Sequence, residues 1–527
     1  VSVEHGSARR IDPFLLVIAG ATVLARFALA WSGVHLDMSA FGAKGSDHYW
    51  QLLDPSWLRH DLWSSVWSLT MQPPLYNLAV GLWLHLPGGW QTPLAAVALT
   101  GCFLAISLAT YATMVLLGVA RGVAFVATLV LVVANPGQAL FTTVPFYAEP
   151  TAALVTVTVW LAVRCVRRPT TGAAAWFSGI AAMTALFNTS IQPVMVLIAI
   201  AIVLVGRRSA WRAIVLGSLV PCVALVGWST LQFSRVGTPA TSTWLGMNLT
   251  HVTFNHAPVG QLHRLVAEHR ITKIATLAPF APLSAYGIAP VVAGPAASAM
   301  ALRPDGQPNF NNRAYAAVSS RYLHDELTYL GIAPGHYATM VSRGLHIWAI
   351  PEDQYSLFFV DTQITGWENV YDNVVMLQGL RNRFSSLAEI AGEAPPLNQL
   401  SFTLIATSAL SMLGTPLLML CWRRRPGLVV ALAVPWMLLT QAFIVTSLSE
   451  FGENDRFRFE TGTTMITLSV VVLNVIIDRL RGRRRPGGLE QRLDALGWSH
   501  RATGVGPIDV CELEPENVSP LDQPVAT

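Results

Sequence analysis

The chain has 527 residues, of which 53% are hydrophobic and only 12% charged, with a net charge of +4 and a mean hydropathy of +0.47. Soluble domains carry about 25% charged residues, so this composition excludes a string of soluble domains, a disordered chain, a nucleic-acid-binding protein and a secreted disulfide scaffold. It leaves an all-α polytopic membrane bundle with some water-exposed mass. The cysteines (Cys102, Cys165, Cys222, Cys421 and Cys511) have no zinc spacing and indicate no disulfide framework.

Arg9 and Arg10 precede an apolar run that ends at Trp31. At about 18 residues it exceeds the usual signal-peptide core and reads as an uncleaved first helix. Runs that suit a crossing lie at 13–31, 92–117, 122–143, 151–166, 172–187, 191–206, 211–231, 399–421, 427–447 and 461–478. A crossing needs about 20 mainly apolar residues, so 172–187 and 191–206 are short. The run 74–87 is shorter still and opens on Pro73-Pro74. It reads as re-entrant, interfacial or a short span, which makes the expected total ten to eleven.

Arginine placement decides between the two. With ten crossings, Arg9–Arg10, Arg121, Arg164/Arg167/Arg168, Arg207/Arg208/Arg212, Arg423–Arg425 and Arg479–Arg485 fall on one face. The short loops of the other face carry only Lys44, Arg59, Arg456 and Arg458. Basic residues stay in the cytoplasm, so the expectation is a plasma-membrane protein with both termini cytoplasmic. Four regions follow: a transmembrane module 1–231 with a first external loop 32–73; a mixed, mainly helical extracytoplasmic domain 232–398; transmembrane helices 399–480; and a polar tail 481–527, expected to be disordered.

Candidate site residues sit on the external face of this layout. Asp47 lies in GSDHYWQLLD (45–54), close to the first span and followed by His48, Tyr49 and Trp50. Its plain reading is a helix-capping acid. The loop ends in MQPPLYN (71–77), where two prolines stiffen the approach to Tyr76. Glu149, in TTVPFYAEP (142–150), stands where a span meets the surface; an ionisable group there is costly and calls for a partner or a role. The segment SEFGENDRFRFE (449–460) interleaves Glu450, Glu453, Asp455 and Glu460 with Arg456 and Arg458. Arginine matches phosphate bidentately, although the segment also reads as a self-neutralised loop. Trp244, His251 and His256 open the large external region.

The order and spacing of these segments resemble the GT-C superfamily of integral-membrane glycosyltransferases. The nearest branch holds protein O-mannosyltransferases, the lipid A aminoarabinose transferase and actinobacterial polyprenyl-phosphate-sugar transferases. The resemblance covers 10–260 and 445–480 and is poor over 260–398. Many members of the branch have Asp-Glu where this chain has Asp47-His48. The resemblance implies inverting transfer from a polyprenyl-phosphate sugar to a glycan, lipid or protein acceptor at the external membrane face. An acceptor hydroxyl must lose a proton, and Asp47 is the expected base. The departing phosphate needs cationic stabilisation, which Arg456 and Arg458 would supply. Glu149 and His48 would position substrate, and Tyr76, Trp50 and Trp244 would stack on sugar rings. No cofactor is required, and a divalent cation at Asp47 and Glu149 is compatible with the chemistry. Membrane lipid is a partner; nucleic acid is not. The rival readings are a transporter or flippase of lipid-linked sugars and a non-catalytic membrane scaffold.

Overall fold

A computed structural model describes residues 12–38, 50–355, 358, 364–378, 400–481 and 489–498. Among the described residues there is no β-strand, only an isolated bridge between Leu302 and Pro308. Proline sets many helix starts. Pro13, Pro55, Pro74, Pro136, Pro193, Pro334 and Pro426 each stand at the beginning of a helix. There the missing N–H costs nothing, because the first turn has no intrahelical acceptor.

Seven helices among the described residues are long and apolar enough to cross a bilayer: Pro13–Trp31, Gly88–Leu116, Ala148–Arg167, Arg208–Val236, Phe402–Cys421, Pro426–Ser449 and Asn454–Leu480. An eighth span is broken. Arg121–Val133 and Pro136–Thr143 meet at 60°. By length and composition these are seven candidates, or eight with the broken pair, where ten were expected; the difference lies in two shorter apolar helices. Thr171–Phe187 and Pro193–Gly206 are apolar but have 17 and 14 residues, and a helix of 14 residues rises only about 21 Å against a hydrocarbon core of about 30 Å. Pro74–Leu84 is shorter again. Ala148–Arg167 is the central helix, the most buried of the seven. Outward positions such as Leu24, Val220, Leu413 and Leu417 are exposed, as a lipid-facing surface requires.

The ends of these helices gather into two groups. At one end Tyr111 donates to Asp12, Arg121 faces Asp12, and the Arg207 Nε–H donates to the Val166 carbonyl. This is the arginine-rich end. A short helix, Leu489–Ala495, folds back onto it, although the sequence promised no structure there. Leu493 and Trp498 are buried, Arg492 pairs with Asp478 at 2.7 Å, and Trp498 Nε1 donates to the Leu116 carbonyl at 2.9 Å. Cys102, Cys165 and Cys222 are free thiols.

The opposite end carries the first loop, the turn before Ala148 and the region after Val236. Part of that region packs against the bundle helices. The Pro334–Trp348 helix ends with the Trp348 indole donating to Ser408 and lying 5.0 Å from the Phe443 ring. Residues 351–355 and the Thr365–Val374 helix then fill the crevice at the broken span. Leu129–Val133 is a π-helical turn, and Trp367 Nε1 donates to the Ala134 carbonyl at 2.9 Å just beyond it. A break exposes carbonyls that lipid cannot satisfy, and an indole N–H from a neighbouring element answers one of them.

Candidate functional site

The broken span builds one wall of the site. Asn135 caps the second half by accepting from Gly137 N–H at 3.0 Å. The new helix direction aims Gln138 at Glu149, and the Gln138 amide donates to Glu149 Oε2 at 2.8 Å. Glu149 lies in the first turn of Ala148–Arg167, where the helix dipole favours an acid. It is completely buried, and its Oε1 has no hydrogen-bond partner. Tyr76, at the start of the Pro74–Leu84 helix, donates to the Pro145 carbonyl at 3.1 Å, and its ring meets that of Tyr147 edge-on at 5.6 Å.

Arg456 lies on the first turn of Asn454–Leu480 and is the hub. Its guanidinium is 1% exposed, lies 2.5 Å from Glu453 and 3.5 Å from Glu460, and donates to the Tyr147 hydroxyl. It also stands over the rings of Phe146, Tyr147 and Phe457, at 4.1 Å from the last. Its Nε has no partner. Glu460 Oε1 accepts from the Asn188 amide at 2.9 Å, and that amide also donates to Thr151 at 3.2 Å. Through Tyr147, and through Glu460 and Asn188 to Thr151, the contacts of Arg456 reach the first turn of Ala148–Arg167, the turn that also carries Glu149. Tyr355 donates to Glu453 at 2.8 Å. Burial pushes the Glu453 carboxyl up, but Arg456, the hydrogen bonds from Tyr355 and Arg456, and His251 hold it below its usual value. Burial pushes the Tyr355 phenol well above its usual value.

Arg458 belongs to a different set of contacts. Residues two apart on a helix face nearly opposite ways. Arg458 pairs with Glu352 at 3.1 Å and donates to the Trp348 carbonyl. Glu352 also accepts from Asn135 at 3.3 Å. Among the described residues the two guanidiniums share no hydrogen-bond or ion-pair partner. Arg458 ties the 351–355 turn to the bundle, and Phe459 stacks on Phe141 at 3.9 Å beside it.

Trp50 and Trp244 meet elsewhere. Both rings lie 5.1 Å from Phe280 and close to Phe310. Trp244 is buried, as is Tyr76, so in this structure both rings pack on protein. Trp50 keeps 42% of its surface exposed. Phe280 has φ +57°, a strained conformation for an aromatic residue, and its ring lies 6.5 Å from that of His251, which pairs with Glu450 at 2.6 Å. The aromatic group thus borders the 450–460 segment through Phe280.

Asp47 and His48 lie outside the described residues. Both flanks of their segment are fixed beside the site. Asp37 N–H donates to the Thr143 carbonyl at 2.8 Å. Asn77 accepts from Leu53 N–H at 2.7 Å and donates to the Gln51 carbonyl at 3.0 Å. Asp54 caps Pro55–His60 through Ser56, a structural task. Among the described residues no three His, Cys, Asp or Glu side chains are grouped to hold a metal ion.

Sequence reasoning missed Gln138, Asn188, Glu352 and Tyr355. The Asn135-Pro136 pair marks the break that aims Gln138, so that signal was present. Nothing local marks Glu352, which gains its place only by the fold bringing 351–355 under Arg458. The arrangement offers a buried carboxylate with one unpartnered oxygen and, at the same end of the bundle, a buried guanidinium with an unpartnered Nε that also donates to a tyrosine hydroxyl. No family model, curated protein or solved structure matches the chain.

Proposed function

We propose that the chain is an inverting glycosyltransferase that takes its sugar from a polyprenyl phosphate at the end of the bundle opposite the arginine clusters. The supporting observation is a carboxylate, Glu149, and a guanidinium, Arg456, each buried with an unpartnered atom and each in the first turn of a neighbouring helix at the same end of the bundle. Burial makes such charges expensive unless they serve a purpose, and low dielectric strengthens their action on a reacting group. In the reaction the acceptor hydroxyl oxygen bonds to the sugar C1 while the C1–O bond to phosphate breaks. The hydroxyl proton passes to a carboxylate, Asp47 in this reading, and the electron pair leaves with the polyprenyl phosphate. Arg456 stabilises that anion, and Glu149 orients the acceptor. Basic residues favour the cytoplasm, so this reading puts the site on the outer face of the plasma membrane.

The broken span favours a second reading, a carrier of lipid-linked sugars, because discontinuous helices at buried polar sites recur in transporters. One experiment separates the two. Full-length protein in liposomes is given a labelled polyprenyl-phosphate sugar, and both bond cleavage and movement across the bilayer are measured. Transfer with release of polyprenyl phosphate is expected, and Asp47→Asn is expected to lower it about 10²–10⁴-fold with donor binding kept. Movement without cleavage decides for the carrier. A folded Asp47→Asn protein with near-normal transfer removes Asp47 and makes Glu149 the next base to test.

A further inference from the structure

A cavity of about 1010 Å³ opens at the arginine-rich end, between the end of Pro193–Gly206 and the turn that joins Phe402–Cys421 to Pro426–Ser449. Arg207, Arg208, Arg423 and Arg425 line it, and Trp498 closes one side. Arg425 is already answered, by Asp494 at 2.9 Å and by the Trp498 carbonyl. Arg207 spends its Nε–H on the Val166 carbonyl and lies 6.0 Å from the Trp498 ring, and among the described residues it is in no ion pair. Arg208 and Arg423 are exposed, and among the described residues neither is in an ion pair. Three positive charges therefore face one cavity without a counter-charge from the described residues.

The remaining walls narrow the choice of ligand. Val205 is 60% exposed and Leu420 68% exposed, both at the ends of apolar helices and both lining the cavity. A small anion would need the arginines but gain nothing from such walls. A phospholipid meets both demands, since its phosphate pairs with guanidinium and its acyl chains cover apolar side chains at the membrane boundary. We infer that this cavity binds the headgroup of an anionic phospholipid, with the phosphodiester on Arg208 and Arg423 and the acyl chains along Val205 and Leu420. The site is independent of the transferase reading. Because Trp498 and Arg425 also hold the Leu489–Ala495 helix in place, an occupied cavity holds the same end closed.

The test uses purified full-length protein in a neutral detergent. Binding of phosphatidylglycerol, phosphatidylcholine and inorganic phosphate is compared by native mass spectrometry and by melting shift. Phosphatidylglycerol is expected to bind and to raise the melting temperature. Arg208→Gln/Arg423→Gln is expected to weaken that binding about tenfold or more. Both side chains are exposed, so this variant should melt like the parent without lipid. Arg479→Gln/Arg481→Gln, at the same end but away from the cavity, is expected to bind as the parent does. Equal binding of phosphatidylcholine overturns the inference, as does an unaffected double variant or an equal loss in the Arg479/Arg481 control. Inorganic phosphate matching the lipid would make this a small-anion site instead.

Discussion

Arg456 shows how one residue was legible by type and not by circumstance. Its sequence neighbours announce a charged cluster at the start of a span, and arginine there runs against the charge bias of that face. What the chain does not announce is that Glu453, Glu460 and Tyr147 already hold the guanidinium. Removing one partner of a buried ion pair strands the others. Arg456→Leu is therefore expected to cost about 3–5 kcal/mol of stability, read as a lower melting temperature in detergent. Arg456→Lys keeps the charge but loses the fork and should fall between the two. Arg456→Leu melting like the parent would mean the carboxylates do not depend on it. His251 gives a pH prediction. Burial works against its charged form, yet Glu450 and Glu453 outweigh burial and raise its pKa above the ordinary value of 6.5. A raised folded value means the charged pair stabilises fully below the unfolded pKa and is lost as pH climbs through the folded one. Melting temperature should therefore fall as pH rises from about 6 into the alkaline range, and His251→Gln should flatten that fall. An unchanged slope in the variant would assign the effect to other groups.

At the scale of elements, composition was a good guide to helix and a poor guide to continuity. The run 122–143 averages to one span because hydropathy sums over a window and does not see a turn of backbone. Asn135-Pro136 breaks it, and the π-helical turn at Leu129–Val133 precedes the break. The short runs 172–187 and 191–206 were visible as short, and 74–87 was read as other than an ordinary span because it lacks the residues. The packing of 351–355 and of Thr365–Val374 against the break was not legible, since its contacts join residues more than 200 positions apart. Gly137 marks that junction. A Cβ there would lie 2.7 Å from both Asp353 N and Glu352 Cβ. Backbone cannot yield as a flexible side chain can, so Gly137→Ala is expected to cost about 1–3 kcal/mol. Gly122→Ala, in the first half of the same span, meets nothing within 4 Å and should be neutral or slightly stabilising. Equal melting of the two variants would show that 351–355 does not press on the break.

For the whole molecule, the arginine clusters foretold a shared end, and the described members of those clusters do meet there. Residues 489–498 of the tail did not follow its composition. Its polar, glycine-punctuated sequence reads as disordered because a few apolar residues cannot form a core alone. Leu489, Leu493 and Trp498 instead complete a core that the bundle supplies. Trp498 is 2% exposed and hydrogen-bonded to Leu116. Trp498→Ala is thus expected to cost about 3–5 kcal/mol, while Trp211→Ala, at an exposed position of the same end, should cost far less. A small loss at Trp498 would mean the tail helix contributes little to holding the bundle.

The clasp made by that helix also sets an order of events during synthesis. The Leu116 and Gly118 carbonyls wait for partners 382 and 374 residues further along the chain. At ribosomal speeds that interval is on the order of half a minute. Throughout it the turn after Gly88–Leu116 must be served by water, so it has to remain at the membrane surface while later helices are inserted. Only when Trp498 has been made and docked does that end close. A chain interrupted before that point has its helices in place and its arginine-rich end still open.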